Sequence, residues 1–99
     1  MAITANVDLG NGVSASSCYI IVPAAYVKKF TDDSFKLIYD VHIYKDASDR
    51  ATNDDIKQIK CRSVDHFKID YDTAASDNPF VLAYAHLKTN GSLSSVADA

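Results

Sequence analysis

The alternation of apolar and polar residues in "FKLIYDVHIY", residues 35–44, constrains the fold of this chain more than any other feature. The odd-numbered positions are all apolar from Phe35 to Ile43, whereas the even-numbered positions include Lys36 and Asp40. A period of two is typical of a strand in an antiparallel sheet that buries only one face. The stretch therefore predicts a half-buried strand with its odd-numbered face in the core.

A second strand-like run precedes this one. Residues 19–22 read "YIIV" and are all aromatic or β-branched, which favours extended structure. Pro23 cannot donate to a ladder and so marks an edge, a bulge or a strand break, after which the apolar character resumes at 25–30. The short polar loop "TDDS" at 31–34 then leads into the alternating stretch, which predicts a long central β-hairpin.

One helix is predicted near the end of the chain, in "NPFVLAYAHLKTNGSL", residues 78–93. Asn78 is a favoured N-cap, and Pro79 suits the first helical position, where its missing N–H leaves no bond unmade. The spacing i, i+3, i+4, i+7 predicts a single apolar stripe, made of Phe80, Ala83, Tyr84 and Leu87. We expect a helix over about 79–89 that covers the sheet and carries no chemistry.

These elements predict an α+β fold. A mostly antiparallel sheet of about four to six strands, including the long central hairpin, packs against the single C-terminal helix. The length of 99 residues predicts one domain over 1–99. The end of the chain, residues 92–99, is expected to be a loosely ordered tail.

The composition argues against two classes of partner. The formal net charge is −3 and the basic residues are scattered, which is unlike the basic stripe of a nucleic-acid-binding protein. Apolar runs such as residues 19–22 are far too short to cross a bilayer, and the first ten residues lack the basic start and apolar centre of a signal peptide. We therefore expect no nucleic-acid partner, no membrane partner and synthesis in a cytoplasm.

The residues that could carry chemistry form no recognisable motif. His42, His66 and His86 have no metal-ligand spacing, and His42 and His86 are interpreted as solvent-facing. Cys18 and Cys61 are interpreted as buried thiols, and whether they meet in space is left open. No nucleophile elbow, phosphate loop or nucleotide fingerprint is present, so the sequence predicts no enzyme, no metal and no cofactor.

A group of apolar side chains lies away from the best core faces. Such residues on a sheet face favour a surface that becomes buried against another chain. The alternative, given equal weight, is that the helix or a loop of the same chain covers that face. The predicted interface residues are Tyr19, Ile21, Ile38 and Tyr44.

Two segments carry a family resemblance. The stretch "AYAHLKTNGSLSSVADA", residues 83–99, resembles the ends of small structural proteins encoded among the virion genes of tailed bacteriophages, and "SSCYIIVPAAYVKK", residues 16–29, resembles their early strand. The matching positions are Ala83, Tyr84, Leu87, Lys88 and Thr89, with the ending Val96, Ala97 and Asp98.

The resemblance implies a non-enzymatic subunit of a virion, in the tail, baseplate, fibre attachment or capsid decoration. It implies homo-oligomers and contacts with other virion proteins, formed through sheet faces or edges. The alternative is a small soluble regulatory or inhibitor module that binds a single host protein.

Overall fold

The computed structural model describes residues 2–10, 12–48, 58–59, 64–72 and 78–99. These residues form eight strands and one C-terminal helix, α1, in an α+β arrangement of antiparallel sheets, as the sequence predicts. The strands are β1 (Ile3–Gly10), β2 (Val13–Ile21), β3 (Ala25–Lys29), β4 (Phe35–Asp40), β5 (His42–Tyr44), β6 (Gln58–Ile59), β7 (His66–Asp70) and β8 (Leu93–Asp98), and α1 spans Pro79–Leu87 between β7 and β8.

The strands belong to two sheets rather than one. The first sheet has the order β6-β5-β2-β1-β8, and the second has the order β3-β4-β7. Every pair is antiparallel. The described strands exceed the four to six predicted because two long apolar runs are each divided between the sheets.

The predicted central hairpin is present, but it is bent from one sheet into the other. β2 pairs with β5 up to Ile21 opposite His42, and β3 pairs with β4 from Ala25 opposite Tyr39. Between these pairs one strand has three residues, 22–24, and the other has two, 40–41. The extra residue lies where Pro23 interrupts the ladder, so the hairpin turns a corner at a bulge.

Two bulges flank the same part of β1. The registers of β1 with β2 and with β8 both shift around Ala5, and Ser17 in β2 and Ser95 in β8 each have a φ of 52°. The Asn6 side-chain oxygen accepts a hydrogen bond from the Ser17 amide over 2.8 Å and so satisfies a donor that the bulge frees.

The expectation of a loose tail over residues 92–99 is wrong for Leu93–Asp98, which form β8 and pair with β1. Leu93 is buried and Val96 is half-buried against the same core. They are three residues apart because the bulge at Ser95 inserts an extra position. The bulge therefore hides the period of two from which a strand is predicted.

Helix α1 begins as predicted and ends slightly earlier, at Leu87 rather than about 89. Asn78 is the N-cap, and its side-chain oxygen accepts from the Phe80 amide over 2.8 Å. Three members of the predicted stripe are buried, namely Ala83, Tyr84 and Leu87, but the Phe80 side chain is 38% exposed. The first turn of α1 therefore buries less apolar surface than the predicted stripe implies.

One main core joins the two sheets and the helix. Its largest fully buried side chains are Tyr39, Ile3, Ile20, Leu37, Ile43, Leu87, Val7, Val41 and Val64. The helix lies against β3 and β4. The odd-numbered face of β4 and β5 is thus the core face, as the alternation predicts, with the exception of Phe35, which is half-buried.

Candidate functional site

An apolar groove lies beside helix α1, where the first and last strands of the chain meet. It encloses about 710 Å³ and is lined by Ala2, Ile3, Val81, Tyr84, Ala85, Lys88, Asp98 and Ala99. Ile3 and Tyr84 are buried in its floor, whereas the Val81 side chain on its wall is 42% exposed. A concave apolar site of this kind is where a small protein most often receives a ligand or a side chain of a partner.

One ion pair crosses the rim of the groove. Lys88, just after α1, places its ammonium nitrogen 2.6 Å from a carboxylate oxygen of Asp98 in β8. Both side chains are substantially exposed, so the pair adds little stability on its own. It holds a positive and a negative charge at the same edge of the groove.

Strand β8 gives the groove an adjacent source of backbone hydrogen bonds, because β8 is the last strand of its sheet. The Ala99 amide donates to the Ala2 carbonyl over 3.0 Å, and Asp98 lies opposite Ile3. Since inward and outward groups alternate along an antiparallel strand, the N–H and C=O of Asp98 point away from β1. They are oriented to pair with a further strand.

The other edges in the described part of the chain are β6, of which only Gln58–Ile59 are strand, and the two edges of the second sheet, which carry features that discourage pairing. β3 includes Lys28 and Lys29, and β7 includes Lys68 at its centre. Lysine on an edge strand is a common means of blocking edge-to-edge association. β8 has neither lysine nor proline, and its exposed positions include Ser94, Ser95 and Ala97.

The predicted interface residues do not form an exposed patch. Ile21, Ile38 and Tyr44 are only 8%, 6% and 2% exposed, and Tyr19 is half-buried. Three of the four do come together: Tyr19 lies opposite Tyr44, and both pack with Ile21 and Ala2 in a small second core. Ile38 lies apart, in the other sheet.

Three of the four predicted side chains are therefore covered within the chain, whereas the prediction for Tyr19, which is half-buried, stays a prediction. The alternative of an internally covered face describes Ile21, Ile38 and Tyr44. Ala2 belongs both to the second core and to the lining of the groove, so the predicted cluster lies directly behind the groove rather than on its surface.

His86 departs from the solvent-facing interpretation. Its Nδ1 lies 2.5 Å from the phenolic oxygen of Tyr39, and its ring packs edge-on against Tyr39 and Phe67. Burial raises the pKa of the Tyr39 phenol above its ordinary value of 10.0. The phenol therefore stays protonated at neutral pH, and its hydrogen bond with His86 links β4 to α1.

The other histidines and Cys18 lie at separate places in the fold, away from the groove. His66 is exposed and its Nδ1 lies 2.5 Å from an Asp40 carboxylate oxygen, while His42 is half-buried with its ring edge-on to Tyr44. Cys18 is a buried free thiol whose pKa is raised by that burial, which makes it a poor nucleophile. Cys61 lies outside the described residues.

Within the ranges that the structure describes, no three histidine, cysteine or acidic side chains cluster as metal ligands. Over those same ranges, no helix has the length and apolar character needed to span a bilayer. The candidate site is consequently the groove together with the β8 edge, which we call the β8 site.

The sequence pattern does not predict the β8 site. Val81 and Ala85 lie off the apolar stripe of the helix, and β8 had no recognisable period. The available signal was the ending "LSSVAD", a run of small and apolar residues without lysine, proline or glycine.

Comparison with known proteins identifies no relative of this chain: no family, curated protein or solved structure matches it.

Proposed function

We propose that this chain is a non-enzymatic structural subunit of a bacteriophage virion that assembles through its sheet edges. The observation that carries the proposal is the β8 site, an edge strand without lysine or proline beside an apolar groove. An edge of this kind adds strands from another chain through backbone hydrogen bonds, and the groove accepts a side chain.

The family resemblance supports the same role. Its matching positions in 83–89 belong to helix α1 and the turn after it, and Val96, Ala97 and Asp98 belong to β8. Tyr84, Lys88 and Asp98 are among the residues that line the groove. The C-terminal resembling segment, residues 83–99, thus overlaps the site.

The arrangement of polar groups gives an enzyme little support. The Tyr39–His86 pair lies in the packing between β4 and α1, and neither residue lines the groove. The polar side chains that do line the groove are Tyr84, Lys88 and Asp98, and the last two neutralise each other. A binding role needs only the shape and the edge that are present.

A module that binds one host protein is the second candidate, because an open edge beside a groove also suits a single extended peptide. The two functions are separated by where the protein is found. Quantitative mass spectrometry of purified particles is expected to detect the chain in many copies per particle. Its absence from particles, with a one-to-one complex recovered from infected cells, would instead establish the host-binding module.

A further inference from the structure

We propose that β8 pairs antiparallel with β8 of a second copy of this chain, about a two-fold axis close to Ser95 and Val96. The inference rests on the proposed assembly through sheet edges and names the first partner in that assembly. The result is one continuous sheet across two copies, with β8 of each copy next to β8 of the other.

The backbone of β8 suits this pairing. The N–H and C=O of Asp98 face outward, as derived from the Ala99–Ala2 hydrogen bond and the pairing of Asp98 with Ile3. In an antiparallel pair about a two-fold axis between Ser95 and Val96, the Asp98 N–H of each copy meets the outward-facing Leu93 carbonyl of the other, while the Leu93 N–H donates to the Asn90 carbonyl of its own chain. The backbone edge of β8 is therefore complementary to the same edge of a second copy.

The charges of β8 favour its own copy as well. An axis between Ser95 and Val96 places Asp98 opposite Leu93, whose carbonyl also points away from β1, because the Asp8 amide donates to the Ser92 carbonyl and Val7 lies opposite Leu93. The only charged residue of the strand thus avoids its own counterpart. The same operation on β7 would place Lys68 opposite Lys68, and like charges directly across a ladder destabilise it.

The bulge at Ser95 selects among partners. A bulge increases the local right-handed twist, so a flatter strand from an unrelated sheet matches only part of β8. A second copy of β8 has the same extra twist. A two-fold axis near the bulge places Ser95 of one copy next to Ser95 of the other, so the two strongly twisted regions are adjacent. A two-fold rotation keeps the right-handed twist of the strand, so the two copies of β8 twist in the same sense and can pair along their length.

The groove lies beside the new pairing. Asp98 and Ala99 belong both to the outer edge and to the lining of the groove, so a second strand on this edge lies at the mouth of the groove. The opposite charges of Lys88 and Asp98 at that mouth are present in both copies. Because Asp98 lies opposite Leu93 of the second copy, each ion pair stays within its own chain.

The test uses two nearly isosteric substitutions at Ser95, a position whose positive φ both Asn and Asp tolerate. Ser95→Asp places two carboxylates next to the proposed axis, whereas Ser95→Asn places two neutral amides there. Sedimentation equilibrium on the full chain measures the dimer dissociation constant, and circular dichroism confirms that each variant is folded.

We expect the unchanged chain and Ser95→Asn to dimerise equally, and Ser95→Asp to dimerise roughly fivefold more weakly, with recovery as salt rises. Equal dimerisation of all three proteins would overturn the pairing at β8 while leaving assembly through another edge intact. A strictly monomeric chain would also overturn it. The proposed function is tested separately, by mass spectrometry of purified particles. A chain that is present in particles but does not dimerise at β8 would overturn this inference and leave the proposed function standing.

Discussion

The phenolic oxygen of Tyr84, in helix α1, accepts a hydrogen bond from the backbone N–H of Val22 over 2.8 Å. Val22 directly precedes Pro23, at the corner where the central hairpin passes from one sheet to the other. The corner frees a backbone donor from the ladder and buries it, and the helix supplies the acceptor. Tyr84 also lines the groove, so one side chain fixes the corner and shapes the β8 site.

Replacing Tyr84 with Phe is expected to destabilise the protein by about 1–3 kcal/mol, because the buried Val22 amide loses its acceptor. Urea denaturation followed by circular dichroism measures the free energy of unfolding. Tyr26→Phe is the matched control, since the Tyr26 side chain is 51% exposed, and it should change stability by less than about 0.5 kcal/mol. Equal effects of the two substitutions would show that the bond to Val22 does not stabilise the corner.

The helix stripe makes a second prediction. Leu87→Ala removes a fully buried side chain and should cost about 2–5 kcal/mol, whereas Phe80→Ala should cost clearly less because Phe80 is 38% exposed. The same denaturation experiment compares them. A larger loss for Phe80→Ala would restore the simple stripe that the sequence predicts and would contradict the packing of the first helical turn.

Stability should fall in alkaline solution because of Tyr39. Its pKa in the folded protein is raised above the ordinary value of 10.0, so the unfolded chain releases this proton first as the pH rises. The contribution of the buried phenol is fully present below pH about 10 and is lost progressively above it, because the unfolded state then binds fewer protons.

Tyr39→Phe isolates this contribution from that of Cys18, whose raised pKa acts in the same direction. The variant should lose less stability than the unchanged chain when urea denaturation is repeated at pH about 9 and about 11. Parallel losses in the two proteins would show that the Tyr39 phenol does not titrate differently in the folded and unfolded states.

Much of the fold follows from local patterns. The alternation from Phe35 to Ile43 identified the core face, and Asn78 and Pro79 located the start of the helix. The hairpin between β3 and β4 followed from the polar loop at 31–34. In these segments the side-chain period, the caps and the turn residues all favour the same structure.

The parts that were missed depend on bulges and on tertiary contacts. The bulge at Ser95 separates Leu93 from Val96 by three positions, so the last strand resembled a tail. The side chains of Ile38 and Tyr44 fall on the even-numbered face, and the alternation alone could not show that both are buried within the chain. The β8 site could not be found because its two sides, the helix and the ends of β1 and β8, are joined only in the folded structure.

The central claim, that β8 is the assembly edge, is tested most directly by amide hydrogen exchange of the purified chain at low and high protein concentration. Pairing at β8 predicts that the outward-facing amide of Asp98 exchanges more slowly as concentration rises. The Ala99 amide, which already donates to Ala2 within the chain, serves as the internal control and should change little. Exchange at Asp98 that is the same at every concentration would contradict the claim.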